Sequence, residues 1–239
     1  VRGTLLNTAT VAIGAVAGME ASKLVPVSYK GVALDALGLV TCLIGVRMFF
    51  QSKNAAITVA AVVIGGIIGA AIGIPAALDN FAEWARHALG AGGSFNEALI
   101  TSSVLFCVGP MTLLGCLQDG LEGKIELLSI KSTLDAFGAF FLAATLGVGV
   151  LVTAVVVLVF QGALTLAAKK LKNIAKDEDL ILEASATGGV LLAGIGLGLL
   201  NLKHIRTETY LPAIVLAPLF SYLARKVSLR RDPAKVHSQ

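Results

Sequence analysis

From Ile57 to Ile74 the chain reads ITVAAVVIGGIIGAAIGI, with no charged side chain and with Gly65, Gly69 and Gly73 spaced four apart. A run of this length matches the roughly 20 apolar residues that a helix needs to cross a hydrocarbon layer about 30 Å thick. Comparable runs recur along the whole chain. Composition agrees: 56% of the 239 residues are apolar and only 14% charged, against roughly 25% charged in a typical soluble domain. So few charges cannot cover the surface of a soluble chain this long. The class is therefore all-α, a polytopic helical membrane protein whose surroundings are the lipid bilayer.

The runs divide the chain as a single integral membrane domain. Residues 1–76 hold spans one to three: Thr4–Leu24, about Leu34–Phe50, and Ile57–Ile74. Thr10, Gly14 and Gly18 share one face of the first, and small residues four apart let helix backbones approach closely. The first span has the length and polarity of a retained segment rather than a cleaved signal. Residues 77–93 read as an interfacial helix and turn. Pro75 stops the third helix, and ALDNFAEWARHAL is too charged to span, with Leu78, Phe81, Ala85 and Leu89 on one face and the single tryptophan, Trp84, at headgroup level. Residues 94–149 carry spans four and five, 150–226 spans six to eight, and 227–239 a basic tail.

The run Thr133–Ala168 is too long for one crossing, at about 54 Å, and Gly147-Val-Gly149 offers a tight turn near its middle. Charge supports the turn. With eight spans, fourteen basic residues fall on one side and five on the other; with seven, the division is twelve against seven. Cytoplasmic loops concentrate Lys and Arg, so eight spans are expected, seven being the alternative, with both termini cytoplasmic. A weak echo, Ala33, Gly38, Ile44 and Gly45 against Ala184, Gly189, Ile195 and Gly196, suggests an inverted repeat of the kind many transporters use.

The net charge of +4 comes from loops between apolar runs and forms no basic motif, so no nucleic-acid partner is expected. No enzymatic chemistry is expected either: there is no GxSxG, HExxH or phosphate loop, and the three histidines stand alone. Cys42, Cys107 and Cys116 lie inside apolar runs without CxxC spacing, so neither metal nor cofactor is expected.

What stands out is polarity at membrane depth. Pro110 has no N–H, so the Phe106 carbonyl loses its helical partner, and Gly109 loosens the same point. Two readings follow: a broken helix whose free carbonyl binds an ion or polar solute, or a kink whose carbonyl is satisfied by Thr112 or Cys107. Asn7, Gln161 and the turn Thr187-Gly188-Gly189 complete a candidate binding pathway, each alternatively plain interhelical glue. Asp35, Asp119 and Asp135, with Gln118, are candidates for cation or proton coupling. Their bland roles are favourable helix-start positions for Asp35 and Asp135, and a turn cap for Asp119.

Four blocks now resemble a known family: GTLLN at Gly3–Asn7, LFCVGPMTLLGCLQDGLEG at Leu105–Gly123, KSTLDAF at Lys131–Phe137 and ATGGVLLAGIGLGLL at Ala186–Leu200. Together they are similar to the YdfK/YqgA-like bacterial membrane family, domain of unknown function 554. The resemblance spans nearly the whole chain and implies a bacterial inner-membrane protein, without an established substrate. From the residues themselves the expected function is a secondary transporter or channel-like carrier for an ion or small polar solute. The alternative is a non-transporting scaffold or regulatory partner. Under either reading the glycine-rich faces could also pair two copies as a homodimer.

Overall fold

The computed structural model describes residues 1–24, 26–175 and 177–231. Lys176 and the tail from 232 onward, both used in the charge division above, lie outside them. The described chain is helical throughout: α1 (Arg2–Ser22), α2 (Val27–Phe49), α3 (Ala55–Ala71), α4 (Ile74–Ala88), α5 (Phe95–Cys107), α6 (Pro110–Glu122), α7 (Glu126–Leu146), α8 (Gly149–Ala175), α9 (Glu178–Leu199) and α10 (Leu211–Arg231), with a 3-10 turn at Thr207–Tyr210 before α10.

Helix α9 is the central element, buried along most of its length and packed against α2 and α10. Helix α1 lies along α7, and α8 fills the space between α1, α5 and α6. Glycine sets the closest approaches. On α1, a methyl group added at Gly14 or Gly18 would collide with the carbonyl oxygens of Ala136 and Phe140 on α7. Between α2 and α9 the contacts are reciprocal. A methyl at Gly45 would lie 2.5 Å from the Gly189 oxygen and one at Gly189 2.5 Å from the Gly45 oxygen; the Gly38–Gly196 pair gives 3.0 and 2.7 Å. Gly65 and Gly69 of α3 press on the α10 side, at Ala213 and Thr209. The glycine faces are therefore occupied within one chain. The outer surface is apolar instead: Leu39, Leu43, Val59, Val63, Ile67, Val155 and Val159 are all more than half exposed, as a lipid-facing ring requires.

Among the described residues, α2, α7, α8 and α9 are each long and apolar enough to cross a membrane; the bent pairs α3–α4 and α5–α6 bring the number to as many as six. Helices α1 and α10, 21 residues each, cover the stretches where the first and last spans were expected and are not among these candidates. Gly147, at φ 86° and ψ −150°, separates α7 from α8, where the long apolar run was expected to turn.

Two local expectations change, and the choice between a broken and a kinked span four is decided. Gly73 is not part of the α3 ridge; its φ of 73° makes it the left-handed hinge where the chain bends by 60° into α4. Pro75 consequently sits inside the first turn of α4, where a missing N–H costs nothing. Span four is not kinked but divided. Val108 is extended, Gly109 has φ 146° and ψ 158°, and α5 and α6 meet at 61°. At 13 residues each, the two halves are about 20 Å long, too short to cross singly.

Candidate functional site

Where α1, α7 and α8 meet, the bundle interior is polar. Asp135 lies nine residues into α7, about 14 Å along it, and is paired with Lys131 one turn earlier. The same carboxylate oxygen, Oδ2, accepts from Asn7 Nδ2 of α1 at 2.9 Å, and that nitrogen also donates to Gln161 Oε1 of α8 at 3.2 Å. Lys131 and Asp135 are 6% and 7% exposed, Asn7 and Gln161 fully buried. Toward the α1 start, the Thr4 and Thr165 hydroxyls pair at 3.1 Å, and Asp119 accepts from the Gly3 amide at 3.0 Å. Asn7 Oδ1 and Gln161 Nε2 are enclosed without a hydrogen-bond partner among the described residues.

The structure thus brings Asn7, Gln161 and Asp135 together, and sets Asp119 near them through α1. It does not add the others. The Phe106 carbonyl accepts from the Thr112 hydroxyl at 3.3 Å, so the local satisfaction foreseen as the structural alternative is present. Val108 at the break is packed onto Gly188. Thr187 donates to the Glu183 carbonyl within its own helix, at 2.9 Å, and Gly189 is a contact with α2. Gln118 Oε1 is enclosed without a partner among the described residues. Pro110 begins α6, a position that tolerates it for the same reason as Pro75.

The proposed roles of the three aspartates as helix-end groups are corrected. Asp35 is well inside α2, which begins at Val27, and faces outward. Asp135 is mid-helix and ion-paired. Asp119 caps the first turn of α1 rather than a turn of its own.

Two residues that the sequence does not single out also matter. Helix α7 begins at Glu126 and buries Lys131. The i, i+4 spacing of Lys131 and Asp135 was the available signal. Glu183 is 1% exposed inside α9. Its carboxylate accepts from the Lys53 and Asn54 amides (2.8 and 3.0 Å) and from the Ser52 and Thr58 hydroxyls (2.8 and 3.1 Å). It therefore locks the start of α3 onto α9. Nothing local in the sequence marks that role, because every partner lies more than a hundred residues away.

Residues 2–222 match the family described as a protein of unknown function, DUF554. The chain belongs to the DUF554 family. The Bacillus subtilis (strain 168) protein named uncharacterized membrane protein YdfK is 27% identical over 232 residues, covering 95% of this chain and 99% of its own length. The Escherichia coli (strain K12) uncharacterized protein YqgA is 29% identical over 221 residues, covering 90% and 94%. No solved structure matches.

Proposed function

We propose that this DUF554 protein is a carrier, a secondary transporter or channel-like protein, for an ion or small polar solute in the bacterial inner membrane. The observation that carries this reading is the Lys131–Asp135 pair with Asn7 and Gln161 between three helices. Charged groups at membrane depth are costly, and where they occur they commonly mark ion or solute pathways. Among the described residues two amide atoms of this centre lack partners, which suits a site whose complement is completed by a passing ligand. The divided span α5–α6 is a supporting element, since discontinuous helices frame many transport sites.

Eight crossings with both termini cytoplasmic fit the way the helix ends associate. The α2–α3 connection meets the start of α9 through Glu183, α1 begins beside the end of α6, and Arg225 of α10 pairs with Asp177 and Asp179 at the start of α9. The opposite end gathers the starts of α5 and α8 and the Asp79–Arg206 pair linking α4 to the α9–α10 connection. The reciprocal Gly38–Gly196 and Gly45–Gly189 contacts are what a two-fold relation between α2 and α9 would produce, and support the inverted-repeat reading.

The test is flux in vesicles reconstituted with the full chain, followed with internal pH and cation dyes across sodium, potassium and small amine and carboxylate solutes. Gradient-driven flux is expected for at least one solute and is expected to be lost in Gln161→Leu and Asp135→Asn. Flux unchanged in both variants would overturn the assignment of this site. The scaffold reading draws on one observation, the packed Val108 break with its satisfied Phe106 carbonyl, and predicts no flux for any solute.

A further inference from the structure

A cavity of about 420 Å³ lies at the other end of the bundle, between α4, α5, α9 and the α9–α10 connection. It is remote in sequence from the Lys131–Asp135 centre, and its volume falls in the range of small-molecule sites. Its walls are unequally charged. Arg206 donates to Asp79 at 2.6 Å and to Glu208 at 2.9 Å, so its guanidinium is committed to two carboxylates, and both hold it firmly in the charged form. Glu97 remains. It stands in the first turn of α5, where the helix N-terminus favours its negative charge, and among the described residues its carboxylate has no cationic partner.

The other unengaged groups on the wall are uncharged. Thr101 is 9% exposed, one turn beyond Glu97, and its hydroxyl makes no hydrogen bond among the described residues. Asn96 spends its amide nitrogen on Glu83 at 3.0 Å, while its Oδ1 is enclosed and unpartnered. Hydrogen bonds from Arg86 and Asn96 hold Glu83 below the usual carboxylate range, so that amide orientation is fixed by an ionised partner. The cavity therefore offers the Glu97 carboxylate and the Thr101 hydroxyl, with the Thr207 hydroxyl and the His204 imidazole on the same wall: acceptors for several N–H groups carrying a single positive charge.

We propose that this cavity binds a small organic cation with a primary ammonium group, the ammonium donating to Glu97 and Thr101, residues one helical turn apart on the same wall. A bare divalent metal fits less well. Asp79 and Glu208 are already engaged, and among the described residues no three His, Cys, Asp or Glu side chains converge to hold a metal. Trp84, the single tryptophan, lies on α4 beside this end and stacks on Phe81 with ring centroids 6.0 Å apart, so its fluorescence reports on α4.

The experiment uses the full chain in phosphatidylcholine nanodiscs, titrated with n-butylammonium chloride by calorimetry and by Trp84 fluorescence. Saturable binding is expected, weakened about tenfold or more in Glu97→Gln, the loss expected for a charge-assisted hydrogen bond. It is expected to weaken also in Thr101→Val, and to be unchanged in Glu126→Gln at the opposite end. Neutral 1-butanol should not bind. Absence of saturation, equal binding of butanol, saturation by magnesium chloride alone, or wild-type affinity in Glu97→Gln would each overturn the proposal. Thr101→Val, which keeps side-chain shape, decides the matter should Glu97→Gln fail to fold. Binding is measured without a gradient, so this result is separate from the transport reading.

Discussion

At the scale of single residues, the chain buries charge in two different ways. Asp135 is balanced by Lys131, so removing either partner leaves an uncompensated buried charge, at a cost of about 3–5 kcal/mol. Asp135→Asn is therefore expected to lower stability strongly in a detergent unfolding titration. The double variant Lys131→Met, Asp135→Leu should recover most of the loss; equal destabilisation by the single and double variants would mean that the pair is not what the site depends on. Glu183 is balanced by four hydrogen-bond donors instead of a cation. Glu183→Ala strands the Lys53 and Asn54 amides and is expected to cost about 1–3 kcal/mol. Glu183→Gln keeps acceptor capacity on one side only and should lie between the two. The same titration measures both.

At the scale of elements, glycine has two separate uses here, and substitution distinguishes them. Gly18 has ordinary helical backbone but no room, because its Cα faces the Phe140 carbonyl across the α1–α7 contact. Gly109 has open space around it and φ of 146°. Gly18→Ala should push the helices apart and cost about 1–3 kcal/mol through overpacking. Gly109→Ala should cost about 1–3 kcal/mol through backbone strain with no new contact. Gly31, inside α2 with nothing within 4 Å and no positive φ, is the control. Gly31→Ala should be neutral or stabilising by about 0.5–1 kcal/mol, since alanine is the better helix former. Thermal unfolding of the three variants side by side checks the ordering. The apolar runs and the Gly147 turn were legible as elements because both are local: hydropathy and a glycine pair act over a few residues. The division at Gly109 was legible only as a break. Its 61° angle depends on where α9 places Gly188 against Val108, which no local pattern encodes.

At the scale of the whole molecule, the arrangement of helix ends makes a topological prediction. Lys53 lies beside the start of α9 and Gly92 in the turn between α4 and α5, at opposite ends of the bundle. With Cys42, Cys107 and Cys116 replaced by alanine, a cysteine at Gly92 should react with a membrane-impermeant thiol reagent in intact cells. One at Lys53 should react only after the membrane is opened. Reaction of both from outside would refute eight crossings with cytoplasmic termini. The occupied glycine faces also bear on assembly. Gly14, Gly18, Gly38, Gly45, Gly65 and Gly69 are all used within one chain, so a homodimer would need another surface, for which the exposed apolar faces of α2 and α3 are available.

The sequence by itself determined the solvent this protein folds in, the existence and approximate places of its apolar helices, and the presence of polar groups inside apolar runs. Those properties follow from hydropathy and backbone chemistry, which are read a few residues at a time. Only the tertiary structure decided which polar groups are partners. Asn7 meets Asp135 and Gln161 across more than a hundred residues of chain, and Glu183 anchors the start of α3 through groups just as distant. A charge in a membrane protein has a role only through what neutralises it. For Asp135 the counter-ion is one turn away on its own helix, but the partners of Asn7 and Glu183 are chosen by the packing of whole helices, which one-dimensional spacing does not contain.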